Sequence, residues 1–381
     1  MLMKEFLQYT GFCAPVISAL SCAVMLVLYR HHHGRWEENA LYRLLILYFA
    51  AVSLLWVMSM VYVYFPLLYV RINILYFIGL LWGQVVFYQF IYMLTRLPGE
   101  RRFPPGHYIV PAVIVGVFAV WSAFVPWDVQ KELVMSRGEP VAGYGAYSRL
   151  FTSRLAFRGI WNIVYTALAW WRLLAYRHSI ADYSSDAGRS SLGWVALLLI
   201  ISLSLVPPSL LSLLYPKRVL ISSVLLLLPQ LLLVVQHAIV CYNMAVGNFV
   251  VIRYPAEDPA VPPLPEASEA ERAARRRKFE KYIQERRPYL NPELQAADLA
   301  GAFHTNRTYL SRFINREYGM NFSRYINTLR LEEMERLRSD RSCAHLSEEE
   351  RACLAGFGSL RGYMRVKKEI ERERKMKEKQ A

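Results

Sequence analysis

The sequence predicts an all-α protein, built from a polytopic seven-helix transmembrane bundle and a cytoplasmic helical domain that follows it. Three observations predict this fold class. Long apolar runs fill residues 1–252, a proline-rich stretch occupies 253–270, and short helical patterns punctuated by Gly, Asn and Ser fill 271–381. Of the 381 residues 55% are hydrophobic, but they concentrate in the first part, so the chain has two regions of different character.

Seven apolar runs are long enough to cross a bilayer, because about 18 residues with few charges span the hydrocarbon core as a helix. The first run follows an acidic residue and lacks a basic start, which argues against a cleaved signal peptide and predicts an N-terminus outside. The runs lie near 11–29, 44–65, 72–95, 108–125, 159–176, 192–214 and 219–240.

The basic residues of the loops support this orientation, since Lys and Arg are enriched in cytoplasmic loops. Nine arginines fall in the loops expected inside, and four basic residues fall in the short segments expected outside. The long connection at 126–154, also expected outside, holds four more, which weakens the contrast without reversing it. An odd number of spans then places the C-terminal domain in the cytoplasm.

Polar side chains inside the runs have two explanations. Hydrogen bonding between helices is the common one, and a ligand cavity among the spans is the other. The sequence alone does not single out one residue among Gln84, Gln89, Asn162, Gln230, Gln236 and His237.

No pattern of a catalytic or metal site is present. The five cysteines form no C-x-x-C pair, and the adjacent His31, His32 and His33 point in different directions with no carboxylate or Cys to complete a site. The sequence has no Gly-rich phosphate loop, H-E-x-x-H or G-x-S-x-G motif. We therefore expect no enzymatic activity, no cofactor and no bound metal.

Residues 253–270 hold five prolines and four acidic residues, a composition that resists a packed core and predicts a linker. A semi-stiff segment of this length reaches roughly 50 Å at about 3.1 Å per residue, which lets the following domain stand off the membrane. The next stretch predicts a basic helix with Phe279, Tyr282 and Ile283 on one side.

Two short helical patterns then flank residues 304–306. Asn306 is expected to cap the second helix, and Gly319 is expected to end it in a left-handed conformation. Its apolar stripe is formed by Tyr309, Leu310, Phe313 and Ile314, and its opposite face by Arg307, Thr308, Ser311 and Arg312. A short helix with a small polar and basic face, held against another helix, suits the DNA major groove.

Residues 291–338 resemble the first half of the AraC-type DNA-binding domain. The run Gly-Met-x-Phe-x-x-Tyr-Ile-Asn-x-x-Arg at 319–330 extends the match well beyond a generic helix-turn-helix. The resemblance covers 271–381 and implies two helix-turn-helix units, at about 294–319 and 346–370, joined by a long helix at 322–338. It says nothing about the membrane part.

The resemblance implies double-stranded DNA as a partner and assigns the contacts. In the first unit, base-facing positions fall on Thr308, Ser311 and Arg312, and Asn306 and Arg307 lie nearer to phosphates. In the second unit the family's Gly-Phe-x-Ser turn matches Gly356, Phe357 and Ser359. The expected DNA-binding residues are Asn306, Arg307, Thr308, Ser311, Arg312, Ser359, Arg361 and Arg365.

The second unit departs from the family pattern. Glu348 and Arg351 stand at usual apolar positions, Lys367 replaces a core Phe, and Gly362 weakens the helix. A buried Lys is costly unless its ammonium reaches water. This unit therefore either reads DNA, serves mainly as a phosphate clamp, or is degenerate.

The expected function is a membrane-bound one-component transcriptional regulator in the bacterial inner membrane, with the lipid bilayer around its spans. It would sense an unknown small-molecule or envelope signal and act as a homodimer, since AraC-like proteins often act in pairs. Two alternatives stay open. One is a transporter or lipid-modifying enzyme with a regulatory tail, favoured by a charge-lined path across the spans; the other is an adaptor whose helical tail holds a protein partner.

Overall fold

The computed structural model describes residues 2–33, 39–97, 100, 102–186, 191–215, 227–250 and 268–378. These residues form helices, turns and one isolated antiparallel bridge, with no strand among them, which confirms the all-α fold class. The chain divides into two compact units. The first unit comprises Met1–Leu173 and Gly193–Gly247, and the second comprises Leu174–Leu192 and Asn248–Ala381. Residues 253–267 of the expected linker lie outside the described residues.

Nine helices follow one another from the N-terminus to residue 246 of the described chain. A single turn of 3₁₀ helix, Leu203–Leu205, separates the seventh from the eighth. They are α1 (Leu2–His33), α2 (Asn39–Tyr64), α3 (Pro66–Leu94), α4 (Gly106–Ala123), α5 (Trp127–Met135), α6 (Gly145–Ile180), α7 (Gly193–Ser202), α8 (Val206–Leu211) and α9 (Leu227–Val246).

Six helical segments of the described chain are long and apolar enough to cross a membrane, one fewer than the sequence predicts. The expected fifth span, 159–176, lies in α6, where Arg, Trp and Tyr side chains dilute the aliphatic ones. Residues 219–226 of the expected seventh span lie outside the described residues. The six segments are Tyr9–Tyr29, Ala40–Tyr64, Pro66–Leu94, Gly106–Ala123, Gly193–Leu211 and Leu227–Val246.

The outer surface of the first unit is itself apolar. On α4, for example, Ile109, Val113, Val117 and Val120 are all more than half exposed. They recur at helical spacing, so they form one continuous stripe along the helix. A stripe of this kind is stable against lipid chains and unfavourable in water, which fits the length and composition of the candidate spans.

The second unit contains the last six helices of the described chain, and serine residues cap the first and the fifth of them. Ser268 and Ser347 form capping boxes with Glu271 and Glu350, which satisfy free backbone N–H groups. The helices are α10 (Glu269–Arg286), α11 (Ala296–Ala302), α12 (Arg307–Tyr318), α13 (Phe322–Ser339), α14 (Glu348–Leu354) and α15 (Leu360–Glu378).

Two small apolar cores stabilise the second unit, and α13 contributes to both. Its first turns bury Phe322 and Ile326 in one core, and its later turns bury Met334 and Leu337 in the other. α10 lies on the first core with Phe279 and Ile283 buried and Tyr282 half-buried, as predicted. The first core also contains Leu299, Leu310 and Ile314, and the second contains Ala352, Phe357, Tyr363 and Val366.

Candidate nucleic-acid interface

Helix α12 begins and ends where the sequence predicts. The Asn306 side-chain oxygen accepts a hydrogen bond of 2.8 Å from the backbone N–H of Tyr309, and Gly319 has a φ of 68° in the left-handed region. Both predictions are confirmed. Because the Asn306 oxygen caps the helix, this side chain sets the position of the first turn.

The two faces of α12 differ as the amphipathic pattern predicts. Leu310 and Ile314 are buried in the first core, and Arg312 is exposed. Thr308 and Ser311 are half-buried. The helix therefore presents one exposed arginine at its middle, on a side of the helix that does not contribute to the core.

The turn between α11 and α12 reverses the chain sharply. His304 adopts a left-handed conformation with a φ of 49°, and the Thr305 N–H donates to the Ala300 carbonyl at 2.9 Å. This bond satisfies one of the free carbonyls at the end of α11. The short turn and its bond hold α11 and α12 in a defined arrangement.

The segment Leu174–Leu192, which precedes α7 in the chain, contacts three of the eight expected DNA-binding residues. The Arg307 guanidinium lies 3.8 Å from the centre of the Tyr183 ring. The Ser311 hydroxyl lies beside the Asp182 carboxyl and lowers its pKa. Sequence reasoning did not anticipate these contacts, because no local pattern relates residues more than 100 positions apart.

The surroundings of the Asp182 carboxyl shift its pKa in opposite directions. Burial raises the pKa of Asp182 above its usual range, and the neighbouring Ser311 hydroxyl and the charge of His178 offset part of that rise. The third contact lies further along the segment, where the Arg365 guanidinium donates to the Ser191 hydroxyl at 3.0 Å. The segment thus places acidic and hydroxyl groups beside side chains expected to face DNA.

Arg330 binds this segment to the rest of the second unit. Its buried guanidinium donates to the Ser185 carbonyl at 3.0 Å and to the Ser185 hydroxyl at 2.9 Å. It also donates to the Tyr289 and Asn291 carbonyls at 2.8 and 2.7 Å, and to the Asn327 side-chain oxygen at 3.2 Å. Burial lowers the pKa of Arg330 to about 10, so the side chain stays charged at neutral pH.

These bonds give a physical reason for the Asn-x-x-Arg end of the 319–330 run. Asn327 is also buried, and its amide donates to the Ser185 carbonyl at 3.2 Å. Backbone bonds reinforce the docking, from Ala296 N–H to the Tyr183 carbonyl at 3.0 Å and from Ser323 N–H to the Ala181 carbonyl at 2.9 Å. Both polar residues of the run therefore act in packing the unit.

The turn before α15 requires a glycine. Gly356 has a φ of 91°, and a Cβ atom added there would lie 2.8 Å from the Leu290 Cα and still closer to the Tyr289 carbonyl oxygen. Ser359 is exposed, and its hydroxyl accepts a bond of 3.2 Å from the Gly362 N–H, which caps the start of α15. Arg361, the second residue of the same helix, is exposed.

The polar residues at positions expected to be apolar have partners. Glu348 is ion-paired with Arg338, which also donates to the Tyr363 hydroxyl at 2.8 Å. Arg351 donates to the Leu346 carbonyl at 2.6 Å, and the Lys367 ammonium lies 5.9 Å from the centre of the Tyr363 ring. α14 and α15 therefore share a satisfied apolar core despite these departures from the family pattern.

Within the described residues, no group of three His, Cys, Asp or Glu side chains lies close enough to hold a metal ion. Comparison of the chain with protein-family models, with curated proteins and with solved structures finds no match. The AraC-type resemblance therefore stays a prediction, carried by the residues and runs named above.

Proposed function

We propose that the chain is a membrane-bound one-component transcriptional regulator of AraC type, anchored in the bacterial inner membrane. The observation that carries the proposal is the form of α12. It is short, capped by Asn306, packed through Leu310 and Ile314, and exposes Arg312. A helix of this size with an exposed arginine can enter the major groove and donate two hydrogen bonds to a guanine edge.

Helix α15 supports the same proposal. It is preceded by the short helix α14 and a five-residue turn, and it exposes Arg361 near its start. Two reading helices joined through α13 would contact two neighbouring major-groove segments of one DNA molecule, as in the AraC family. Arg307 would then lie near phosphates.

The segment Leu174–Leu192 is proposed to control this activity. Its contacts occupy Arg307, Ser311 and Arg365, so DNA and the segment compete for the same side chains. The segment includes the last residues of α6, whose first part belongs to the first unit. A signal that favours one arrangement of the spans would release or secure the segment, provided that it binds the two arrangements with different affinity.

The proposed topology has seven spans, which are the six candidate segments and α6. At 36 residues α6 is longer than the roughly 20 that a bilayer requires. The N-terminus then lies outside and the second unit lies in the cytoplasm, in agreement with the distribution of arginines among the loops.

The regulator is proposed to act as a homodimer. One DNA-reading unit contacts few bases, and two tethered units gain affinity without new contacts because the second binding event is intramolecular. Crosslinking in native membranes should yield a dimer species. Monomer alone, at every crosslinker concentration, would contradict this part of the proposal.

Genome-wide crosslinking and sequencing of DNA held by the full-length protein in its own membranes tests the function. Wild type and two variants would be compared, Arg312→Ala on α12 and Arg341→Ala on the exposed turn after α13. We expect Arg312→Ala to lose about 1 to 3 kcal/mol of discrimination at one base pair. Arg341→Ala, which removes an equal charge outside the reading helices, should keep the sites.

A small set of sites that is lost in Arg312→Ala and kept in Arg341→Ala would support the regulator and reveal its operator. Identical sequence logos for wild type and Arg312→Ala would overturn the role of Arg312. Background DNA in all three samples, under several growth conditions, would instead favour the adaptor or the transporter.

A further inference from the structure

The first unit contains a partly open cavity of about 130 Å³, and two arginine side chains line it. Parts of α1, α2, α3, α6, α8 and α9 line it. Its aromatic and polar wall includes Phe12, Trp56, Ser59, Tyr62, Tyr69 and Gln230, and its basic residues are Arg154 and Arg158.

Arg154 is buried and bonded only to neutral acceptors in the described part of the chain. Its guanidinium donates to the Phe151 carbonyl at 3.1 Å and to the Asn73 carbonyl and side-chain oxygens at 3.3 and 3.2 Å. The rings of Phe151 and Phe118 lie 3.9 and 4.6 Å from it. These bonds go to uncharged oxygens, so no carboxylate among the described residues pairs with the positive charge.

Arg158 follows one helical turn later and is half-buried. It lines this cavity and also a neighbouring one of about 50 Å³. In the described part of the chain no carboxylate pairs with it. Because its side chain lines both cavities, Arg158 can contact a molecule bound in either one.

The sequence makes the lack of a counter-ion general. No Asp or Glu occurs at 6–36, 40–99, 140–181 or 187–256, and these ranges include every segment that lines the cavity. Glu100 does not supply the charge, since it is ion-paired with Arg172. Two cations in an apolar protein interior are unfavourable unless an anion compensates them.

We propose that this cavity binds a small organic anion whose apolar body is about the size of one ring. The volume supports the size, because a cavity of about 150 Å³ lined by apolar side chains holds benzene. The aromatic wall would pack against the ring, and Arg158 would pair with the anionic group. Ser59 and Gln230 are neutral residues of the wall that can form hydrogen bonds.

The lining residues share one end of the bundle. They come from the last turns of α2, the first turns of α3 and the beginnings of α6 and α9. On the proposed topology these helix ends lie in the outer half of the membrane. The ligand would then enter from outside the cytoplasm, and its role as the regulatory signal rests on the proposed function.

Equilibrium binding to the full-length protein in zwitterionic nanodiscs tests the site. The probes are radiolabelled benzenesulfonate, phenylacetate and phenyl phosphate, with benzyl alcohol as a neutral competitor of similar size. We expect saturable binding of at least one anion, displaced by the same unlabelled anion and not by benzyl alcohol. Arg158→Gln should weaken it about tenfold or more, which corresponds to about 1.4 kcal/mol.

Two further variants separate binding from folding. Arg149→Gln removes an exposed arginine of α6 outside the cavity and should leave binding unchanged. Ser59→Phe fills the cavity and should abolish binding while Arg158 stays in place. Equal binding by Arg158→Gln and wild type, equal displacement by benzyl alcohol, or no saturable binding of any probe would each overturn the proposal.

Further outcomes identify the source of the anion and distinguish failure of the site from failure of the proposed function. If native mass spectrometry finds an anionic phospholipid that is displaced in proportion to probe binding, the natural ligand is a lipid headgroup and not a free small anion. The binding assay uses no DNA, so its failure leaves the regulator untouched. Probe binding by a protein that shows only background DNA crosslinking would keep the site and remove its role as a transcriptional signal.

Discussion

The packing of the second unit depends on the absence of a side chain at Gly356. Its φ of 91° and the approach of Leu290 Cα leave no room for a methyl group. We expect Gly356→Ala to destabilise the second unit by about 3 kcal/mol, since both backbone strain and overpacking act. Hydrogen exchange of α14 and α15 in the full-length protein would measure the loss as faster exchange.

Gly301 provides the matched control for Gly356. It lies in α11, exposed, and a Cβ atom there meets no other atom within 4 Å. Gly301→Ala should leave the free energy of unfolding unchanged or raise it by up to about 1 kcal/mol, because alanine favours helix. Hydrogen exchange should then be unchanged or slower. Equal exchange in both variants would show that the 356 turn tolerates a side chain.

Residues that follow local rules were predictable from the sequence, and residues that depend on distant partners were not. Asn306 and Gly319 fulfil capping rules that involve only neighbours in the chain. Arg330, by contrast, looks like a surface arginine until Ser185 is placed beside it. Arg154 was counted with the basic residues of the 126–154 connection, and Arg158 lies between that connection and the expected fifth span. No pattern indicated that the two share a cavity.

Among the elements, the segment Leu174–Leu192 has the most direct expected effect on DNA binding. Asp182 places a carboxylate beside Ser311 on α12, and that carboxylate would repel phosphates. We expect Asp182→Asn to raise affinity for DNA of any sequence, by on the order of 1 kcal/mol at low salt. Filter binding with the full-length protein, repeated at several salt concentrations, would measure it.

Glu285→Gln is the control for Asp182→Asn. Glu285 is an exposed acid of α10 that pairs with Lys281, so the net charge changes equally in both variants. A similar gain in affinity from both would attribute the effect to net charge. A gain confined to Asp182→Asn would locate it at α12.

Helical patterns in the sequence correctly indicated the all-helical elements and the face that α10 buries. The span count differs at α6, because its Arg, Trp and Tyr residues reduce the apolarity on which the prediction of a span depends. Periodicity also cannot show that the last residues of α6 and the turn after it pack with the C-terminal helices. Such packing arises from contacts between residues far apart in sequence.

At the scale of the whole molecule, the proposed orientation can be tested with a native thiol. Cys353 is exposed on α14, in the unit proposed to be cytoplasmic. After Cys13 and Cys343 are replaced by Ser, a membrane-impermeant maleimide should label Cys353 only in permeabilised cells. The same reagent should label Lys131→Cys, on α5 in the connection proposed to be outside, in intact cells stripped of their outer envelope.

Labelling of Cys353 from outside would reverse the topology, and the cavity would then open toward the cytoplasm.

Composition could predict two regions, a membrane part and a helical part, because apolar residues concentrate in one of them. Composition could not assign Leu174–Leu192, since this stretch lies between two apolar runs and packs with residues that come more than 100 positions later.

The bonds from Arg330 to Ser185 have a consequence for anyone who expresses the C-terminal helices alone. A fragment of residues 268–378 would contain both apolar cores but not Ser185, and two of the five hydrogen bonds of a buried cation would have no acceptor. Such a fragment would fold loosely around Arg330. A synthetic peptide of residues 180–186, added in trans, should bind it and restore a cooperative melting transition.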